Sequence, residues 1–119
     1  MEEMIIFART FDLVEWLVPR SETFPRPWRY TVTARLLAAS LDLPELLLEA
    51  QSRSGRPRQD RLAQADACLN KLRLYFRLAH RWHWLSDGQY EHVSRMVAEI
   101  GRLLGGWIRQ AGKEAGSKK

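Results

Sequence analysis

The sequence has little cysteine and no long apolar run. Cys68 is the only cysteine among 119 residues, which excludes an internal disulfide and fits a reducing compartment such as the cytoplasm. No apolar run approaches the roughly 18 residues that a membrane-spanning helix needs. The N-terminal segment begins with two acidic residues after Met1 and lacks the basic start of a signal peptide. We therefore expect a cytoplasmic protein without a membrane anchor.

Signatures of catalysis are also scarce. The glycines of "GRLLGG" (residues 101–106) lie within a helical pattern, whereas a phosphate-binding loop joins a strand to a helix. The Glu-x-x-His motif of di-iron bundles is absent, and His80, His83 and His92 lack the carboxylates that usually complete a metal site. Cys68 lies one position off an apolar stripe, which is typical of a small buried hydrophobe. We expect no enzymatic activity and no cofactor.

Hydrophobic periodicity is what the sequence has in abundance. Apolar residues recur at steps of three and four, the spacing of one helix face, and no segment alternates with period two. In the last helical stretch, Ser86 and Gln89 have the spacing of a capping box. The pattern predicts an all-α, up-down antiparallel four-helix bundle over residues 1–112, followed by a basic flexible tail at 113–119. The predicted helices cover about 3–18, 28–53, 58–81 and 86–111.

The predicted core stripes leave some apolar surface unused. In the first helix Met4, Phe7, Phe11, Val14 and Val18 form the predicted core stripe. The second helix has two stripes, and its Pro44 should kink or split it. The fourth helix carries a stripe of small residues beside its large one, which would let another helix approach closely. Surplus apolar surface usually marks an interface, so we expect a homo-oligomer. A helix of the same subunit could equally cross the small stripe. The predicted interface residues are Gly101, Gly105, Leu37, Leu41 and Leu48.

The chain is basic, with a net charge of +5 and a pI near 9.9, which favours nucleic acid or another acidic partner. Arg73, Arg77 and Arg81 share one face of the third helix with no acid within four residues. Arginines recur every seven residues on the fourth helix, where neighbouring glutamates neutralise part of the charge. These rows are either a solvated face or a phosphate-binding surface. The predicted contacts to nucleic acid or a polymerase are Arg73, Arg77, Arg81, Arg95, Arg102, Arg109 and Lys71. A second arginine cluster surrounds the loop between the second and third helices (Arg53, Arg56, Arg58 and Arg61).

Aromatic residues are frequent, with five tryptophans in the chain. Trp28 begins the predicted second helix, and Trp82 and Trp84 lie in "RWHW" at the end of the third. The two tryptophans of this motif either plug the end of the bundle or form a platform for base stacking or for a partner protein.

The segments "LRLYFRLA" (72–79) and "LSDGQYEHVSRMVAEIGRLLGGWIRQ" (85–110) resemble the accessory variability determinant family of diversity-generating retroelements. "AD" at 65–66 and "FPR" at 24–26 also fit this family, which is related to proteins encoded in intervening sequences of bacterial 23S rRNA. The resemblance implies a barrel of five four-helix subunits with a positively charged surface.

The resemblance also implies a function without catalysis. Proteins of this family associate with the retroelement's reverse transcriptase and help it copy template RNA into mutagenised cDNA in a bacterial or phage-infected cell. Arg73, Arg77 and Arg102 match basic positions of the family and are the expected contacts. The alternative is a ribosome-associated, rRNA-associated or structural four-helix bundle with no reverse transcriptase partner.

Overall fold

The computed structural model describes the backbone of residues 2–117 and the side chains of residues 5–116. Four α-helices fill most of this part of the chain, and no strand occurs in it. The all-α, four-helix prediction is therefore confirmed. The helices are α1 (Glu2–Ser21), α2 (Val32–Gln51), α3 (Gly55–Arg81) and α4 (Asp87–Ser117), with a 3₁₀ turn at Arg26–Trp28 before α2.

Each helix packs against its neighbours in the chain, and α4 closes the ring by packing against α1. Because the connections are short, consecutive helices run antiparallel. The molecule measures 52 × 25 × 20 Å, and its length follows from the 31 residues of α4 at about 1.5 Å per residue. In this order of packing, the groove between α1 and α2 lies on the opposite side of the bundle from the groove between α3 and α4.

The core follows the predicted stripes of α3 and α4. Every residue of the α3 stripe is buried, and so is every residue of the α4 stripe after the half-buried Tyr90. Large aliphatic side chains at helical spacing therefore predict these two interior faces correctly. The buried stripe residues are Leu62, Ala65, Leu69, Leu72, Phe76 and Ala79 on α3, and Val93, Val97, Ile100, Leu104, Trp107 and Ala111 on α4.

The predicted core stripe of α1 is wrong. The buried residues are Ile6, Leu13 and Leu17, whereas Phe11 is 56% exposed and Val18 is 42% exposed. Because α1 is apolar on two sides, both stripes have helical spacing, and periodicity alone does not say which one faces the core. The side chain of Met4, the first residue of the predicted stripe, lies outside the described residues. The consequence is an apolar surface on α1.

Helix α1 ends later than predicted, at Ser21 and not before Pro19. Proline removes one backbone donor, but side chains in this turn bind carbonyl oxygens that helix ends leave unpaired. Arg20 Nη1 donates to the Trp16 carbonyl at 2.8 Å, and Ser21 Oγ donates to the Val18 carbonyl at 2.7 Å. Helix α2 begins at Val32 and not at the predicted position 28, because a separate 3₁₀ turn occupies Arg26–Trp28.

Two further features of the helices, the continuity of α2 and the end of α4, differ from the predictions. Helix α2 is continuous through the buried Pro44, so of the two predicted alternatives, a kink or a split, the split does not occur. Helix α4 continues past Gly112 to Ser117, where we expected a flexible tail from residue 113. Glu114 anchors this last part because it forms an ion pair with Arg58 of α3 at 3.6 Å and accepts a hydrogen bond from Gln110.

Candidate nucleic-acid interface

A groove of about 530 Å³ runs between α3 and α4. Arg73 and Arg77 line it from α3, because their i, i+4 spacing puts both on the side that faces α4. Ser94 and Ala98 line the opposite side, so small residues keep the groove open there. Tyr90 closes one end near the α3–α4 connection. The groove therefore combines two guanidinium groups with hydroxyl groups and apolar surface.

Arg73 is held in place by two neighbours. Its Nη1 donates to Asn70 Oδ1 at 2.8 Å, and its Nη2 lies over Gly101, only 2.6 Å from where a Cβ atom of residue 101 would stand. Asn70 is neutral and leaves the charge of Arg73 uncompensated. Gly101 thus leaves room for an arginine side chain of the same subunit, whereas the small stripe predicted the close approach of another helix. The i, i+3 spacing of Asn70 and Arg73 is the sequence signal that indicates the first contact.

The arginine row of α3, defined as Arg73, Arg77 and Arg81, carries free positive charge. All three residues are exposed. Among residues 5–116 no carboxylate forms an ion pair with any of them. The row extends over about 12 Å, since eight residues of α-helix rise about 1.5 Å each. It is a line of unneutralised cations on one edge of the groove.

The arginines of α4 are in a different electrostatic situation. Arg95 pairs with Glu91, and Arg102 Nη2 donates to Glu99 Oε1 at 2.6 Å. The hydrogen bond from Arg102 lowers the pKa of the Glu99 carboxyl below its ordinary value, so Glu99 is ionised at neutral pH and offsets that arginine. Arg109 has no acidic partner in the described part of the chain. These residues lie on the outer face of α4.

The remaining basic candidates lie apart from the groove. Lys71 lies on the other side of α3, in a groove shared with α2 that also contains Arg35 and Asp42. Every arginine of the loop cluster predicted as a second basic region forms a salt bridge, although two of them share Glu49. Its pairs are Arg53 with Glu49 at 3.8 Å, Arg56 with Asp60 at 3.5 Å, Arg58 with Glu114 at 3.6 Å and Arg61 with Glu49 at 3.0 Å.

The candidate catalytic and metal-binding side chains have structural contacts. Cys68 is buried and donates to the Ala39 carbonyl at 3.2 Å. Its burial raises the pKa of the thiol to about 11, so it stays protonated at neutral pH and is a poor nucleophile. His80 contacts Asp87 at 2.8 Å and stacks on Tyr90, whereas His92 packs on Trp16. Within the described residues, no three side chains of metal-ligand type come together.

The predicted interface residues fall on two sides of the bundle. Leu37 is half-buried, while Leu41 and Leu48 are 46% and 52% exposed on the side of α2 that faces α1. Phe11 and Leu41 line the groove between these two helices. We define the apolar face as Phe11, Val18, Leu41 and Leu48.

The two glycines predicted to lie at the interface are on the other side of the bundle. Gly101 and Gly105 are half-buried on the side of α4 that faces α3. Arg73 of the same subunit covers Gly101, and Arg109 of α4 itself is the nearest neighbour of Gly105. A role for either glycine between subunits stays a prediction.

Within residues 2–117 every helix is too short or too polar to span a bilayer.

Comparison with known proteins identifies the family. A protein of unknown function from the S23 ribosomal protein family of Bacteroides thetaiotaomicron has a similar fold, with a TM-score of 0.83 and 17% identity over 92% of this chain and 99% of that one. At that identity the likeness concerns the fold alone. No curated protein matches the sequence. A family model described as bAvd-like matches residues 4–111, which span nearly all of the four helices, and the chain therefore belongs to the bAvd-like family.

Proposed function

We propose that this protein is a non-enzymatic accessory protein of a diversity-generating retroelement. It binds the template RNA and the reverse transcriptase through the arginine row of α3 and thereby supports mutagenic cDNA synthesis in the cytoplasm. The observation that carries the proposal is the absence of any acidic partner for Arg73, Arg77 and Arg81 in the described part of the chain. Membership of the bAvd-like family supports the choice of partner.

The arginine row suits a phosphate backbone because of how its charge is presented. Cations spaced at i, i+4 and i+8 on an exposed helix face can each approach a phosphate and release condensed counterions. The arginines of α4 contribute less, because Glu91 and Glu99 already pair with two of them. Binding through the row is expected to depend strongly on salt and weakly on sequence.

The assembly that we propose is a homo-oligomer, with five subunits as in the family's barrel. The apolar face supports it, because it leaves four large hydrophobic side chains between 42% and 56% exposed on one side of a small protein. Exposed apolar surface of that kind, with Phe11 and Leu41 lining one groove, usually marks a protein–protein interface. The apolar face and the arginine row lie on opposite sides of the bundle, so assembly leaves the row accessible.

The test of nucleic-acid and polymerase binding is the double variant Arg73→Gln/Arg77→Gln. We expect it to weaken binding to template RNA about tenfold near physiological salt, because two phosphate contacts are lost. The slope of log affinity against log salt should become shallower by about one for each arginine. Binding to purified reverse transcriptase is measured in parallel and should also weaken.

The matched control is Arg9→Gln/Arg56→Gln, which removes the same charge at two exposed arginines that have acidic partners. It should bind as the wild type does. Helix content and oligomer size should be unchanged in both double variants. Unchanged binding of RNA and reverse transcriptase by the α3 variant would refute the proposal. Wild-type protein that binds ribosomal RNA but no reverse transcriptase would favour the rRNA-associated alternative.

A further inference from the structure

The end of the bundle that holds the α1–α2 and α3–α4 connections carries exposed aromatic rings. Trp28 is 50% exposed, Tyr30 is 87% exposed and Trp82 is 45% exposed. Trp28 and Tyr30 make no ring contact with any other described residue. We define the aromatic end as these three residues together with Arg26, Arg29 and Arg81.

The tryptophans of the "RWHW" motif have separate roles. Trp84 plugs the bundle, because it is half-buried and its ring centroid lies 5.3 Å from that of the buried Phe24. This contact also joins the two connections. The ring centroid of Trp82 lies 5.2 Å from that of Trp84, on the outside of the bundle. The Trp82 ring therefore packs on Trp84 and is also exposed to solvent. Closing the end of the core explains the position of Trp84 but not that of Trp82.

Backbone hydrogen bonds hold the end of α3 and Trp82 in place. Trp84 N–H donates to the Ala79 carbonyl at 2.8 Å, and His83 N–H donates to the His80 carbonyl at 3.0 Å, which together form a Schellman motif. His83 takes the required left-handed conformation, with φ of 62°. Trp82 is thus the last residue before a fixed chain reversal, and its ring is held near the end of α3.

Charge at this end favours an anionic partner. Arg26 and Arg29 flank Trp28 in sequence, Arg81 precedes Trp82, and none of these arginines pairs with an acid of the described chain. The acids of the two connections and the first turn of α4 are Glu22 and Asp87, and Asp87 already contacts His80. Basic residues interleaved with exposed rings are typical of surfaces that bind single-stranded nucleic acid, where bases stack on rings and cations track the backbone.

The arginine row leads directly to these rings. Arg73, Arg77 and Arg81 follow α3 toward its C-terminus, and Trp82 is the next residue. A backbone that lies along the row therefore arrives at the aromatic end. Base-paired RNA offers no free base faces for stacking, whereas an unpaired segment does.

We propose that the aromatic end stacks the unpaired bases of a single-stranded nucleic acid whose phosphates lie along the arginine row. The proposal rests on the nucleic-acid binding proposed above and adds the kind of strand that is recognised. Electrostatic contact alone would bind a sugar–phosphate chain with or without bases. Stacking requires the bases, and that difference makes the proposal testable separately.

The test compares a short uridine oligomer with an abasic sugar–phosphate oligomer of the same length. The variant Tyr30→Leu/Trp82→Leu keeps apolar bulk but removes two rings, and the control Tyr30→Phe/Trp82→Phe keeps both rings. Because both positions are well exposed, we expect both proteins to fold, with helix content and oligomer size like those of the wild type.

The expected result is a loss of about tenfold or more in affinity of the leucine variant for the uridine oligomer, on the scale measured for removal of a stacking ring. Its affinity for the abasic oligomer should not change, and the phenylalanine control should bind both as the wild type does. Equal affinities of the leucine variant and the wild type for the uridine oligomer would overturn the stacking proposal and leave the electrostatic one standing. Wild-type protein that binds neither oligomer would overturn both. A leucine variant that loses only reverse transcriptase binding would assign the rings to a protein partner and overturn stacking.

Discussion

At the scale of single residues, Gly101 and Arg73 form the most informative contact of the molecule. A glycine inside a helix costs about 1 kcal/mol relative to alanine. Here it provides the space in which the Arg73 guanidinium lies against α4 while Asn70 holds it from α3. The glycine therefore makes room for a charged side chain, and its unfavourable helix propensity has a structural reason.

The variant Gly101→Ala should separate stability from binding. The new Cβ would stand 2.6 Å from Arg73 Nη2, and this flexible side-chain end can move away at little cost. We expect the free energy of unfolding to rise by up to about 1 kcal/mol through helix propensity, while affinity for RNA falls several-fold because Arg73 is displaced. Chemical denaturation and RNA titration measure the two effects.

Gly105→Ala is the matched control for that prediction. Its Cβ would meet Arg109 Nη1 at 3.5 Å, which is an ordinary contact, so stability should rise similarly without a loss of RNA affinity. If Gly101→Ala bound RNA as tightly as Gly105→Ala does, the position of Arg73 would not matter for binding.

At the scale of elements, the α3–α4 connection contains a capping box, which the sequence predicts, and a Schellman motif, which it does not. The capping box is confirmed, because Ser86 N–H donates to Gln89 Oε1 at 2.9 Å and Gln89 N–H donates to Ser86 Oγ at 3.1 Å. The Schellman motif before it was not predicted, since glycine usually takes its left-handed position and here the residue is His83.

Replacing His83 with glycine should stabilise the protein. The left-handed conformation costs a residue with a Cβ atom roughly 1–2 kcal/mol, and the greater freedom of glycine in the unfolded chain offsets part of the gain. We expect the free energy of unfolding to rise by about 0.5–1 kcal/mol in urea titrations. His83→Ala retains a Cβ and should show no comparable gain. Equal stabilities of the two variants would mean that the strain at this position is negligible.

The success of predicting which apolar stripe faces the core differs from helix to helix. The predicted stripes of α3 and α4 are confirmed, although Leu103 of α4 is buried beside its stripe and Leu74 of α3 is exposed outside it. Helix α1 has two apolar rows, and only packing against α2 and α4 decides that Leu13 is buried and Phe11 is not. The boundaries at Pro19 and Gly112 were missed because other contacts outweigh the tendency of these residues to end a helix. Near Pro19 these contacts are local, whereas beyond Gly112 they include the long-range pair of Arg58 and Glu114.

At the scale of the whole molecule, sequence spacing identified the arginine row and its lack of acidic partners on the same helix, but not the absence of acidic partners from the other helices. The spacing placed Arg73 and Arg77 on one face, and ion pairs at i, i+3 or i, i+4 could be anticipated for Arg95 and Arg102. The salt bridges of the α2–α3 loop arginines include a contact between Arg58 and Glu114, which lie 56 positions apart in the chain. Such long-range pairs do not follow from local pattern, and they leave α3 as the cationic edge.

The exposed apolar residues of α1 also affect the surface of the whole molecule. Phe11 and Val18 join Leu41 and Leu48 on one side, so the α1–α2 face is apolar over two helices. Leu41→Glu/Leu48→Glu should therefore shift the proposed oligomer to monomers in light scattering, because buried unpaired carboxylates strongly oppose association. Leu74→Glu, at a residue of α3 that is 54% exposed, should leave the oligomer size unchanged. Helix content should persist in both, since all three leucines lie outside the core. If the double variant retains the wild-type oligomer size, the subunits meet through another surface, and the α3–α4 groove with its glycines becomes the next to test.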